Sequence, residues 1–428
     1  KKNYKEKISS GKHFHNVLCL SEAKGMDIKM TIAESAKSIE EHLRQLRREF
    51  HRHPEISGNE KKTAARIVRE LSEIGGFEIR EGVGGHGVIA ELSGALPGPA
   101  IALRADMDAL QIEEETGLSF CSENCGVMHA CGHDNHITMV LGAARLLAQR
   151  KDELKGKVRL IFQPSEELSP QGGSRKMIEA GALKGVDAVF GIHVWPDLPL
   201  GKVGIKAGPL MAASDHFTVT IKGKPSHAAR PDEGIDALVA GAQFVMAAQT
   251  IVSRNADPMK SVVITIGRLN AGTRYNIIAG ECVLEGTCRT FDPAVRDLAE
   301  RRLDEVLSGV CTASGCTGEL HYERGYMAVV NDTKMADYVR ESADKILGNG
   351  TAVSVKPAMT SEDFSFYLDE KPGVFAWIGT TPPGDIVWPL HSSHYSPDEG
   401  VLWRGSALLA GLALGLWEKQ QVMLLEKS

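Results

Sequence analysis

Ala100-Ile101-Ala102-Leu103-Arg104-Ala105-Asp106-Met107-Asp108 is a short apolar run that ends in charge. The pattern recurs. Val158-Arg159-Leu160-Ile161-Phe162 leads into Gln163-Pro164-Ser165-Glu166-Glu167. Val186-Asp187-Ala188-Val189-Phe190-Gly191-Ile192 leads into His193. Runs of this length and β-branched content read as buried strands. Helical stretches at 136–150 and 173–182 separate them. That alternation predicts an α/β sheet with helices on its faces. Ligands bind such sheets beyond the carboxyl ends of the strands. Asp106, Asp108, Glu166, Glu167 and His193 are all expected there. Each alone could be a surface or capping residue, but their convergence on one sheet edge points to a site.

His129-Ala130-Cys131-Gly132-His133-Asp134-Asn135-His136 adds a thiol and three imidazoles between the first two runs. Thiolate and neutral imidazole are the usual protein ligands of zinc-like ions. Cys131 and His133 are two apart, so both can reach one ion from a tight loop. Asp134 sits where a helix N-cap is expected. Ile137, Val140, Leu141, Ala144, Leu147 and Ala148 follow at helical spacing. A lone histidine here would read as a polar helix start. With Glu167, His193 and one late histidine the donors become five. That is too many for one tetrahedral ion with an open position. Five donors suit two ions ~3.5–4 Å apart, the spacing of two-metal hydrolases. Cys131 could bridge them. Of the adjacent pair Glu166 and Glu167, one could bind metal. The other would stay free to take a proton from the attacking water and hand it to a leaving amine.

The bulk composition agrees with a folded enzyme. Hydrophobic residues at 43% and charged residues at 24% describe a globular protein, and 428 residues suggest two domains. A net charge of −6 gives no electrostatic case for nucleic acid, and no apolar run is long enough to cross a bilayer. Eight cysteines in a chain this long form no disulfide framework and fit a reducing compartment. Residues 1–25 are Lys-rich and broken, and residues 1–30 are set apart as a weakly ordered extension.

Residues 31–50 predict one amphipathic helix, stopped by His51-Arg52-His53-Pro54. His51 and His53 are weak ligand candidates beside a proline. Gly82–Gly87 satisfies a dinucleotide-binding glycine spacing, but a strand follows it where that motif needs a helix. A turn between strands is expected there. From about residue 209 the order becomes β-α-β-β-α-β, a ferredoxin-like split unit. A compact insertion at 209–321 is expected, splitting the first domain into 31–208 and 322–428. In the insertion, His227 could donate to an oxyanion. Asn276 and Arg289 could bind a substrate carboxylate, Arg through its bidentate fork. A final helix is expected at 400–418.

Five motifs now stand in order: Leu103–Leu110, Met128–Asp134, Phe162–Glu167, Gly191–His193 and Thr360–Phe364. Together the sequence resembles the dinuclear metallo-amidohydrolases of the aminoacylase/carboxypeptidase superfamily. The nearest branch holds hippurate hydrolases, N-acyl-amino-acid amidohydrolases and indole-acetyl-amino-acid hydrolases. The match spans residues 35–418. The resemblance implies a metallopeptidase-like catalytic domain with an inserted ferredoxin-like lid and dimerisation domain. It implies Cys131, His133, Glu167, His193 and His391 as ligands of two divalent ions, zinc or manganese ahead of cobalt or nickel. It implies Glu166 as the general base and His227 as a lid histidine reaching a partner subunit's site. His391, with Tyr395 four residues on, fits the family motif for the last ligand, which leaves His394 as a neighbour. Asn276 and Arg289 become substrate contacts. The implied reaction is hydrolysis of an N-acyl or N-aroyl amino acid, with a dipeptidase or carboxypeptidase as the alternative. The implied partners are a small-molecule substrate and a second copy of the chain, in the cytoplasm, with no nucleic acid and no membrane. Gln111 and Asn135 depart from residues common in relatives, at the pocket mouth.

Overall fold

The three apolar runs lie side by side as parallel strands of one large sheet. The computed structural model describes residues 30–425, so the N-terminal extension lies outside the described residues except for Met30. The N-terminal half comprises α1 (Ile32–Ser38), α2 (Glu40–Arg52), α3 (Lys61–Ile74), β1 (Glu78–Val83), β2 (Gly87–Ser93), β3 (Leu96–Asp106), α4 (His133–Gln149), β4 (Lys155–Gln163), α5 (Ser174–Glu179), β5 (Ala188–Pro199), β6 (Val203–Ile205) and β7 (Gly208–Met211). Then come β8 (Ala213–Lys222), α6 (Ala237–Thr250), β9 (Val262–Ala271), β10 (Glu281–Thr290), α7 (Pro293–Ser314) and β11 (Thr317–Arg324). The chain ends with β12 (Val329–Asn331), α8 (Thr333–Leu347), β13 (Ala352–Ser354), α9 (Ser365–Glu370), β14 (Gly373–Thr381) and α10 (Val401–Leu425).

The large sheet has the order β1-β2-β4-β3-β5-β14-β6-β13. β3 pairs in parallel with β4 and β5, and β5 with β14, so their carboxyl ends share one edge. Side chains alternate between two cores, as the period of two demands. Ile101, Leu103, Ala105, Val158, Leu160 and Phe162 face α2, α4, α8 and α10. Ala102, Ile161, Val189 and Phe375 face α5 and α9. α4 is buried along nearly its whole length because it lies between the sheet, α2 and α10. Gly82–Gly87 spans the turn from β1 into β2, as expected. No described helix is long and apolar enough to cross a membrane.

The second sheet has the order β11-β8-β10-β9, all antiparallel, with α6 and α7 packed on it. Asp236 accepts from Leu238 N (3.0 Å) and Asp292 from Ala294 N (2.8 Å), so side-chain caps fix where both helices begin. The strands of this sheet run from Ala213 to Arg324. At its base buried Asp215 accepts from Arg296 Nε (2.9 Å), the Tyr322 hydroxyl (2.7 Å) and Gly325 N (3.1 Å). β9 forms an edge of the sheet and exposes Val263 and Leu269.

Some expectations need correction. Residues 31–50 form two helices, not one. A Thr31–Glu34 capping box starts α1, Ile39 leaves helical geometry (ψ 8°), and α2 then runs on through His51 to Arg52. Asp134 is not the cap of α4. Gly132 holds that position in a left-handed conformation (φ 84°), and Asp134 lies in the first turn. β5 does not end before His193 but continues to Pro199, because β14 pairs with it there. The final helix reaches residue 425.

Candidate metal centre

The loop before α4 turns sharply at Gly132, where a Cβ would come within 2.5 Å of Val194 Cγ2. Only glycine fits both that contact and that backbone. The turn brings Cys131 and His133 close to His193 on β5. Asp134 anchors it from behind by accepting from Arg47 Nε and His51 Nδ1, both at 2.8 Å. The other nitrogen of His51 meets Glu114 Oε1 at 3.2 Å. A ring between two carboxylates donates from both nitrogens. Burial and Arg47 oppose its charge, but Asp134 and Glu114 outweigh them and raise its pKa. Both nitrogens of His51 are therefore occupied, which answers its ligand candidacy. His53 is exposed, 3.8 Å from Glu123. His129 is held neutral by burial, which pushes it down to about 4.

The remaining donors converge. Cys131 Sγ lies 3.5 Å from His193 Nε2 and 3.3 Å from His391 Nε2. His391 Nε2 is 3.3 Å from Glu167 Oε1, and His133 Nε2 is 3.8 Å from the same oxygen. Among several groups of mutually close donor atoms, which also place Glu166 beside His133 and Glu167, two share Cys131: one with His133 and His193, the other with Glu167 and His391. Cys131 belongs to both, as a bridging thiolate must. His193 Nδ1 donates to the Val194 carbonyl at 2.7 Å, which leaves the Nε2 lone pair facing Cys131. Among the described residues, the non-glycine residues with positive φ are Ser165 (58°) and His391 (66°). One precedes Glu166 and the other is itself a donor, so backbone strain is concentrated at this edge.

Carboxylates fix the frame. Val194 N donates to His136 Nε2 (2.9 Å), so His136 Nδ1 carries the proton it donates to Asp106 Oδ1 (2.6 Å). Asp108 accepts from Glu166 N (3.1 Å), Glu167 N (2.9 Å) and Ser57 Oγ (2.6 Å). Arg104 donates to Asp106, Glu362 and Asp363, while Gln163 bridges Arg104 and Asp363. Breaking a buried cluster of this kind typically costs about 3–5 kcal/mol, because it leaves an uncompensated charge.

The electrostatics test whether this donor set fits divalent cations. Asp106, Asp108, Glu166, Glu167, Glu362 and Asp363 crowd the edge, opposed by the guanidinium of Arg104. Burial, then Glu362, Glu167, Asp363 and Asp108, push the Glu166 carboxyl well above its usual range. Burial, then Glu167 and Glu166, push the Cys131 thiol up likewise. Burial opposes charge on His133, yet Asp106, Asp108 and Glu167 outweigh it and push its pKa up to about 10. His133 Nε2 and Glu167 Oε1 are buried without a hydrogen-bond partner. Partnerless buried donors in an excess of negative charge are what cations would satisfy. The residues fit two divalent ions.

Cys131, Glu167, His193 and His391 line a cavity of about 320 Å³, together with Glu166, Trp195, Met211, Ser214, Arg289, Tyr326, Glu362 and Leu390, while His133 is fully buried and not part of the lining. Arg289, on β10, is thus brought to the cavity. Burial lowers its pKa. His227 and Asn276 are not among the lining residues. They sit together on a loop pair of the second sheet, where Ala228 N donates to Asn276 O (3.1 Å) and Ala229 N to His227 Nδ1 (3.1 Å). His394 stacks on Trp388 and approaches Glu115, apart from the donor groups. Sequence reasoning did not assign the supporting roles of His136, Arg104, Gln163 and Glu362. Glu362 and Asp363 stood inside a quoted motif, but Arg104 and Gln163, which they pair with, lie 200 or more residues away.

Comparison with known proteins gives consistent matches. The sequence model described as Peptidase family M20/M25/M40 matches residues 102–415. The chain is 43% identical to an N-acetyl-L-cysteine deacetylase of Bacillus subtilis (strain 168), over 87% of each chain. It is 39% identical to thermostable carboxypeptidase 1 of Saccharolobus solfataricus, over 91% of this chain and 99% of that one. Among solved structures, a dinuclear metal-binding peptidase of the M20 family from Bacillus subtilis superposes with a TM-score of 0.78 at 38% identity, covering 89% of this chain and 99% of that one.

Proposed function

The chain belongs to peptidase family M20/M25/M40, a hydrolase of amide bonds, and from that premise we propose that it releases a free amino acid and a carboxylate from N-acyl or N-aroyl amino acids. The observation that carries the reading is Cys131, shared by two groups of donor atoms, with the Glu166 carboxyl beside them on the cavity wall. Cys131, His133, Glu167, His193 and His391 would hold two divalent ions, zinc or manganese ahead of cobalt or nickel. Bound there, the ions would supply Lewis acidity and lower the pKa of the attacking water. Glu166 takes the proton from that water. Its raised affinity for protons suits a group that must hold one and then release it to the leaving amine.

Arg289 faces the cavity and would pair with the amino-acid carboxylate through its planar fork. His227 and Asn276 would act from the lid of a partner subunit, with 209–321 as the lid and dimerisation unit. The exposed edge strand β9 supports that role, since an edge of unpaired backbone groups with Val263 and Leu269 suits pairing with a second copy. A second reading, cleavage of small peptides, is favoured by the likeness to a carboxypeptidase. Assay of hippurate, N-acetyl amino acids and dipeptides side by side decides between them. Faster turnover of the acyl amino acids supports the proposal, and faster turnover of dipeptides replaces it with the second reading.

A further inference from the structure

Glu60 is fully buried at the start of α3, far in sequence from the donors. Its Oε1 accepts from Gly58 N (2.9 Å), Ser165 N (2.7 Å) and Ser165 Oγ (3.3 Å). Its Oε2 is buried and has no partner. Ser165 is the left-handed residue (φ 58°) that directly precedes Glu166 and Glu167. The next two amides, Glu166 N and Glu167 N, go to Asp108. Three consecutive amides of the turn are thus gripped by two buried carboxylates. The loop supplying Glu60 is itself clamped: Ser57 Oγ donates to Asp108 (2.6 Å) and Ala109 N donates to Glu55 O (2.8 Å). A non-glycine residue in this conformation persists only where its surroundings over-determine it.

We propose that Glu60 is the positioning residue of the catalytic turn, holding Ser165 left-handed so that Glu166 faces the cavity while Glu167 faces the ligand group. The inference rests on the reading of Glu166 as the base. Glu60 acts through an acceptor oxygen and not through its charge. Burial raises its pKa, and its second oxygen has nothing to bind. A neutral amide of the same shape therefore keeps the grip, and a glycine at 165 removes the need for it.

The test uses the full-length protein and three variants: Glu60→Ala, Glu60→Gln, and Glu60→Ala combined with Ser165→Gly. The readouts are amide hydrogen exchange over 163–168, bound zinc per chain after dialysis, and kcat with KM on an N-acetyl amino acid. Glu60→Ala should lose protection at 163–168 and lower kcat by about 10²-fold with little change in KM, as a misplacement near 1 Å does. Bound zinc should weaken by about 10–100-fold, because Glu167 rides on the same turn. Glu60→Gln should restore protection and most of kcat, and Ser165→Gly in the double variant should recover much of kcat. If Glu60→Ala does not fold, Glu60→Asp, which withdraws the oxygen by one methylene, takes its place under the same criteria. Unchanged protection overturns the inference, and so does a Gln variant as damaged as the Ala variant. Lost protection with normal kcat leaves the bracket standing and overturns the assignment of Glu166 instead.

Discussion

The two sheets contribute to the cavity in opposite ways. At the edge of the large sheet most functional groups are buried and held by a neighbour: the His193 ring by the Val194 carbonyl, the backbone of Glu166 and Glu167 by Asp108, and Asp106 by His136. On the small sheet, Arg289 reaches the cavity, but His227 and Asn276 stand on a loop pair outside it. The contrast is between groups fixed before substrate arrives and groups that need another surface to act on. It predicts that changes on the large sheet abolish chemistry, whereas changes on the small sheet weaken substrate recognition or act across subunits.

Glu166→Gln tests the first half most severely. It should lower kcat by at least about 10²–10⁴-fold, the range for an acid–base residue, while the fold is retained. A near-normal rate would break the comparison. His227→Ala should cost about 10²–10³-fold as the loss of an oxyanion donor. Mixing it with Glu166→Gln under subunit exchange should restore up to about a quarter of the activity, since half the mixed dimers' sites are intact. No recovery would mean that His227 does not act across subunits. Arg289→Ala should reduce kcat/KM by about 10–100-fold, mostly through KM, the worth of hydrogen bonds to a charged group. Arg289→Lys should recover only part of that, because the fork is lost.

The smallest effect concerns stability. His51, Thr116 and Ser122 outweigh burial and hold the Glu114 carboxyl at about 2, below its ordinary value. A depressed carboxyl stabilises the fold fully above the unfolded-state pKa and loses that contribution as pH falls through the folded value. Glu114→Gln should lower Tm by about 1–3 °C at pH 7, and the two proteins should converge as pH approaches 2. A difference that persists in acid would remove Glu114 from the pre-set electrostatics of the large-sheet edge.

Much of this contrast was legible in the sequence because its signals are local. The runs before Asp106, Gln163 and His193 are apolar enough to announce strands, and the β-α-β-β-α-β order announced the second sheet. What stayed hidden depends on distant partners. His193 lies inside its strand because residues 373–381 pair beside it. Asp134 has a capping residue's chemistry, but Arg47 and His51 claim it. Nothing around Ser57-Gly58-Asn59-Glu60 marks a buried carboxylate, since its role exists only once β4 delivers Ser165. Ile39 splits a helix whose apolar period continues through the break.

If five side chains hold two cations, the carboxylate of Glu166 stays free for the proton. Metal content of purified Glu166→Gln and Glu167→Gln, loaded with zinc and dialysed side by side, tests it most directly. Two ions per chain are expected in Glu166→Gln, as in the unaltered protein, and fewer in Glu167→Gln. Equal retention in both variants, or a loss confined to Glu166→Gln, would contradict it.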